Sequence, residues 1–227
     1  MKKKAFIFDL DGVIVDTAKY HFHAWRKLAK SLGIDFSTKQ NEQLKGVSRV
    51  RSLEKILAWG GIELSEEKFM ELLTKKNHDY LIRVDQMNES EILPDVPRIL
   101  EYLSSQDVPI ALGSASKNAR TILHKVNLFH FFNAIVDGTN VSKAKPDPEV
   151  FLRAAELLNT KPQDCIVFED SLAGIQAANM AKMTSIGIGD KTILSEADFV
   201  FQDFTKISVE FIKELIEIKE QQTLQIN

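Results

Sequence analysis

The sequence has 227 residues, a net charge of −3 and a single cysteine, Cys165. That length suits one α/β domain, or a core carrying a smaller insert. The charge offers no basic field for nucleic acid, so an anionic ligand has to be held by a local set of residues.

In chain order, Met1-Lys2-Lys3-Lys4 precedes the apolar run Ala5-Phe6-Ile7-Phe8. The run is too short for an export signal or a membrane span. With no export signal, and no partner for Cys165 to form a disulfide, the expected compartment is the reducing cytoplasm. The run itself predicts a central parallel strand buried on both faces. It stops at Asp9-Leu10-Asp11-Gly12.

Residues 17–89 show helical periodicity and no good strand. Ala24, Trp25, Leu28, Ala29 and Leu32 recur at helix spacing; so do Leu53, Ile56 and Leu57, then Phe69, Met70, Leu72 and Leu73. Ser65 before Glu66 and Glu67 predicts a capped helix start. This is too much helix for a simple crossover. The expected division is a core of residues 1–16 and 90–227 with a helical cap of residues 17–89.

Beyond the cap, Ile99, Leu100 and Leu103 share one helix face. Strand-like runs follow at 109–112, 134–136, 165–168 and 184–188. Asp147 before Pro148 predicts a helix start, and that helix presents Val150, Phe151, Ala154, Leu157 and Leu158. Residues 209–222 read as a last helix. Cys165 lies inside an apolar run and reads as a core residue rather than a nucleophile. Strand alternating with helix gives an α/β fold: a Rossmann-like parallel sheet with right-handed crossovers and an inserted α-helical cap.

Asp9 and Asp11 follow a buried strand directly, where parallel sheets bind ligands. Two residues apart, both carboxylates enter the site while Leu10 points elsewhere. Such a pair repels unless a cation intervenes. Phosphoryl transfer suits it: one carboxylate attacks phosphorus, and the other moves the proton of the leaving or attacking oxygen. On its own, Asp-x-Asp-Gly is also ordinary turn chemistry.

The remaining motifs weigh against a mere turn. Asp9-Leu10-Asp11-Gly12-Val13-Ile14-Val15-Asp16-Thr17, Ser114-Ala115-Ser116, Lys143-Ala144-Lys145-Pro146-Asp147-Pro148 and Phe168-Glu169-Asp170-Ser171 come in that order at strand ends and a helix start. Together they resemble the haloacid dehalogenase superfamily along the whole chain, in its sugar-phosphate branch with a helical cap. Three runs are similar to its sugar phosphomutases: His21-Phe22-His23-Ala24-Trp25, Lys45-Gly46-Val47-Ser48-Arg49 with Ser52-Leu53, and Ser114-Ala115-Ser116-Lys117-Asn118. Gly113, where those mutases tend to carry alanine, is a departure of little expected effect.

The resemblance implies roles. Asp9 is the nucleophile and Asp11 the general acid and base. Thr17 and His21, at the cap hinge, position Asp11 or sense closure; His21 also has a lesser reading as an interdomain packing residue. Ser114 and Lys145 hold the transferring phosphoryl group, with Lys143 the neighbouring candidate. Asp9, the backbone oxygen of Asp11, Glu169 and Asp170 hold Mg²⁺. Gly46, Val47, Ser48, Arg49, Ser52, Lys76, Ser116, Lys117 and Asn118 bind substrate, Arg49 gripping a second phosphate bidentately. Lys75 and Lys76 by themselves read as a solvated helix face, Trp25 as cap core, and His23, His78, His124 and His130 as surface or filler. The implied reaction interconverts β-glucose 1-phosphate and glucose 6-phosphate through an aspartyl phosphate and a 1,6-bisphosphate. The expected partners are sugar phosphates and sugar bisphosphates, with no nucleic acid and no membrane, acting on a monomer. The alternatives are a sugar-phosphate phosphatase sharing the same core residues and, from a different class, a non-catalytic sugar-phosphate sensor.

Overall fold

The computed structural model describes residues 4–217. The first three residues and the expected continuation of the last helix to Gln222 lie outside the described residues. The elements in order are β1 (Ala5–Phe8), α1 (Ala18–Ser31), α2 (Thr38–Glu42), α3 (Arg49–Gly60), α4 (Glu66–Asp85), α5 (Val96–Ser105), β2 (Ile110–Gly113), α6 (Ala119–Lys125), β3 (Ala134–Val136), α7 (Glu149–Leu157), β4 (Cys165–Glu169), α8 (Leu172–Met180), β5 (Thr184–Ile188), β6 (Phe199–Phe201) and α9 (Val209–Glu217).

The strands form one sheet in the order β3-β2-β1-β4-β5-β6, parallel throughout. Side chains alternate between its two faces. Phe6, Phe8, Ile110, Leu112, Ile166 and Phe168 enter one cluster, closed by α5, α6 and α9. Ala5, Ile7, Ala111, Cys165 and Val167 enter the other, closed by α7 and α8. The bulky face contains a ring stack, with Phe8 and Phe168 at 4.8 Å between centroids and nearly coplanar. Each such fully buried side chain contributes roughly 1.5–3 kcal/mol.

Sheet order places the site. The chain steps from β1 to β2 to β3 on one side, then returns to lay β4 on the other flank of β1. The crevice at this switch point, beyond the carboxyl ends of the strands, is where such sheets bind ligands. Asp9 follows β1 there, and Glu169 ends β4 beside it.

The insert has its own cluster, with Trp25, Leu28, Ala29, Leu53, Ile56, Leu57, Leu72 and Leu73 at its centre. Ser65 caps α4 by accepting from the backbone N–H of Lys68. The near ends of α1 and α4 are not confined to that cluster: Ala24, Tyr80 and Val84 join the core beneath the sheet's bulky face.

Several local expectations change. The edge strand β6 was not foreseen; it is three residues long and half-buried, with Phe199 and Phe201 covered edge-on by Phe211 of α9. Leu157 is 64% exposed and Met70 is 55% exposed. Ala155 rather than Leu157 faces inward on α7. The residue in the capping position of α7 is Pro148, yet Asp147 does a cap's work, since its Oδ1 accepts from the N–H of Glu149 at 3.0 Å.

Candidate active site

The loop after β1 is wound on one carbonyl. The backbone N–H groups of Val13, Ile14 and Val15 all point at the oxygen of Leu10. Gly12 has φ +82°, and a Cβ there would enter the carboxylate of Asp170. Leu10 is buried in the core, so Asp9 and Asp11 face the crevice on either side of it.

Asp9 is buried, and its Oδ1 accepts from Lys145 Nζ at 2.7 Å. Lys145 also donates to Glu169 Oε1 at 2.5 Å and to the carbonyl of Gly113 at 3.1 Å. An ammonium has three donors, so all are used, and the group lies 4.7 Å over the ring of Phe151. Burial opposes the charge on Lys145, but Asp9 and Glu169 outweigh it and hold its pKa above the usual lysine range. Burial pushes the Asp9 carboxyl up, with Lys145 pulling the other way. Lys143, the neighbouring candidate, is exposed and paired with Asp147 at 3.3 Å.

Glu169 completes its hydrogen bonding at the start of α8. Its Oε2 accepts from both the N–H and the hydroxyl of Ser171 at 2.9 Å. Ser171 also caps α8, accepting from Gly174 N–H at 3.1 Å. Gly174 is required here, because a Cβ would overlap the Glu169 carboxylate. Asp170 pairs with Lys45 at 3.4 Å. Burial, opposed by Lys45, pushes its carboxyl up to about 7.

Carboxylate oxygens of Asp9, Glu169 and Asp170 all lie within 4.8 Å of one another. Three hard oxygen donors this close are a donor set for a divalent cation. The Asp11 carboxylate is outside this group. It accepts a hydrogen bond from the hydroxyl of Thr17, and His21 Nε2 lies 3.7 Å from it. Burial raises the Asp11 pKa against the pull of Thr17 and Lys76. A half-buried carboxyl whose pKa is raised and which sits apart from the donor set is suited to proton transfer.

The insert supplies the opposite charge. Lys76 is 1% exposed. Its Nζ lies 2.9 Å from His21 Nδ1 and between the rings of Trp25 and Tyr80. Burial, aided by Arg49, lowers its pKa to about 7. Burial, Lys76 and Arg49 together push the His21 imidazole well below its ordinary value. These surroundings disfavour a charge on His21; a neutral imidazole accepting from Lys76 at Nδ1 would present its Nε2 proton towards Asp11. Arg49 opens α3 and is half-buried. Among the described residues neither Arg49 nor Lys76 is in ion-pair contact with a carboxylate.

The other expected residues divide. Ser114 is fully buried at the end of β2, and its Oγ accepts from Ser116 N–H at 3.1 Å. Ser116 Oγ accepts from Asn118 N–H at 3.3 Å. Gly46 has φ +68°, and a Cβ there would run into Ser171 Oγ, so the 45–48 loop is seated against the core. Val47 is half-buried in that loop. Ser48 uses its hydroxyl to cap α3, accepting from Arg51 N–H. Ser52 is buried on α3. Lys117 is exposed and is not gathered with the rest. Two residues were missed as side chains of the site. Lys45 was singled out only as part of its run, although a basic residue before a glycine turn was a usable signal. Tyr80 is fully buried against His21 at 4.2 Å, its hydroxyl without a hydrogen-bond partner among the described residues.

The family model for haloacid dehalogenase-like hydrolases matches residues 3–182, a span holding both acidic pairs, the 114–118 loop and Lys145. The chain belongs to that family. Among haloacid dehalogenase-like relatives, a β-phosphoglucomutase of Bacillus subtilis is 42% identical over 213 residues, covering 93% of this chain and 94% of its own. The crystal structure of a β-phosphoglucomutase from Clostridium difficile is 43% identical, with a TM-score of 0.90 over 95% of this chain and 97% of that one. A phosphorylated-carbohydrates phosphatase of Thermotoga maritima is 33% identical over 81% of this chain and 83% of its own. Among the described residues no helix is long and apolar enough to cross a membrane.

Proposed function

We propose that the chain interconverts β-glucose 1-phosphate and glucose 6-phosphate, with Asp9 as phosphoryl carrier and a 1,6-bisphosphate as intermediate. The observation that carries this reading is the cation pair on the insert. Lys76 is buried and Arg49 half-buried, neither in ion-pair contact with a carboxylate among the described residues, and Lys76 reaches towards Asp11 through His21. A hydrolase needs one anion site; an enzyme that turns a bisphosphate around needs two. The 42–43% identity to proteins named β-phosphoglucomutase points the same way.

In the first half, an Asp9 oxygen bonds to phosphorus as the bond to the leaving sugar oxygen breaks, and Asp11 gives that oxygen its proton. In the second, a sugar hydroxyl attacks phosphorus of the aspartyl phosphate while Asp11 takes its proton, and the bond from phosphorus to Asp9 breaks, releasing the carboxylate. Thr17 and His21 hold Asp11 in line for both. Lys145 fixes Asp9 and offers positive charge to the transferring group; Ser114 borders it. Asp9, Glu169 and Asp170, with the backbone oxygen of Asp11, are suited to hold Mg²⁺, which when bound neutralises charge on the transferring oxygens. Residues 17–89 act as a cap over residues 1–16 and 90–227. It closes when a phosphate reaches Arg49 and so favours transfer to sugar over transfer to water. The same reading makes the protein a cytoplasmic monomer.

The test is product identity. With β-glucose 1-phosphate and catalytic glucose 1,6-bisphosphate, glucose 6-phosphate accumulates with little free phosphate. Stoichiometric release of inorganic phosphate instead assigns a sugar-phosphate phosphatase.

A further inference from the structure

Helix α4 meets the site with two consecutive residues. Successive helix positions diverge by about 100°, so they address different groups. Lys76 turns to His21 and, through it, to Asp11. Asn77, half-buried, turns to the 114–118 loop, where its Oδ1 accepts from Asn118 Nδ2 at 3.4 Å.

Asn118 is placed to receive this contact. It stands at the N-cap of α6, where an asparagine side chain ordinarily accepts from its own helix. Here it makes no such bond. Its backbone N–H donates to Ser116 Oγ, and Ser116 N–H donates to Ser114 Oγ. A hydrogen-bonded line therefore runs from the insert helix through the loop to the end of β2. The loop's polar groups are set by a residue outside the loop.

We propose that Asn77 is a positioning residue for the sugar phosphate: it fixes Asn118 and Ser116 in their binding arrangement when α4 is docked on the loop. One rigid helix thus aligns the acid–base side through Lys76 and the phosphate side through Asn77 together. The proposal rests on Ser116 and Asn118 contacting the sugar phosphate, and it adds a residue that acts on them without touching substrate.

The experiment measures Asn77→Ala, Asn118→Ala and the double variant with β-glucose 1-phosphate, and follows phosphate release from acetyl phosphate in parallel. Asn77→Ala is expected to raise KM about fivefold, the worth of one hydrogen bond, with kcat and acetyl phosphate turnover changed less than twofold. In the Asn118→Ala background it adds nothing, because its effect passes through Asn118. Unchanged KM in Asn77→Ala, an equal added loss in both backgrounds, or a matching loss with acetyl phosphate each overturns the proposal. Ser116→Ala separates the two layers. If Ser116→Ala and Asn118→Ala raise KM while Asn77→Ala does not, the positioning role alone falls. If neither raises KM, the loop does not bind the sugar phosphate and both fall.

Discussion

Lys145 and Lys76 are both buried lysines within one crevice, and their surroundings are opposite. On the core side, Lys145 is saturated by two carboxylates and a carbonyl. On the insert side, Lys76 has an imidazole, two ring faces and a nearby arginine, and its pKa falls to about 7. The core arrangement is complete before any ligand arrives. The insert arrangement carries positive charge without balance, and an incoming phosphate dianion supplies what it lacks. Preorganisation on one side and electrostatic need on the other suit an enzyme that must close on a phosphate and not on water.

Removing the complete side gives the largest effect. Lys145→Met leaves Asp9 and Glu169 facing each other without their counter-ion. Breaking a buried pair in this way costs about 3–5 kcal/mol, measurable by urea denaturation, and turnover falls by about 10³ or more. Retained turnover would show that Lys145 is only a structural ion.

Removing the unbalanced side gives a smaller and selective effect. Arg49→Ala raises KM and lowers mutase turnover, together by about 10² in kcat/KM, while phosphate release from acetyl phosphate stays within a few-fold. Equal losses in both assays would place Arg49 with the core machinery and erase the contrast. Gly46→Ala tests the seating of the insert. Its positive φ and the approach to Ser171 oppose closure, so mutase flux falls roughly tenfold and hydrolysis of the phosphoenzyme falls less. A variant as fast as the parent would show that the 45–48 loop does not need this fit.

The smallest effect is a pH limb. Lys76 is depressed from the usual lysine value to about 7, so it is charged below that pH and neutral above it. A monoester phosphate is already mostly dianionic at pH 7. KM for glucose 1-phosphate therefore rises as pH increases, by about fivefold between pH 7 and 8. Lys76→Met has a higher KM without that slope. The sign for stability is opposite. Between about 7 and the unfolded lysine value the unfolded chain binds more protons, so the ligand-free protein gains stability as pH rises there.

The core side was the more legible of the two in the sequence, for a physical reason. Asp9, Asp11, Glu169 and Asp170 directly follow or end apolar runs that can only be central strands, and strand order then brings them together. The strand β6 was not legible because three half-buried residues give too little alternation to distinguish strand from loop. On the insert, spacing gave the helices but not which lysine enters the crevice. Lys75 and Lys76 look alike in sequence; only the packing of Trp25 and Tyr80 buries the second. The pairing of Asn77 with Asn118 joins residues 41 positions apart, and no local pattern encodes it. The three carboxylates expected around the metal lie together, while the Asp11 carboxylate, expected to lend only its backbone oxygen, is held by Thr17.

The most direct test is the site of covalent phosphorylation. The protein is incubated with ³²P-labelled glucose 1,6-bisphosphate, quenched in acid, digested, and the labelled peptide sequenced by mass spectrometry. Label on Asp9, chased to glucose 6-phosphate by added β-glucose 1-phosphate and absent from Asp9→Asn, is the predicted result. Label on any other residue, or label that persists in Asp9→Asn, contradicts it.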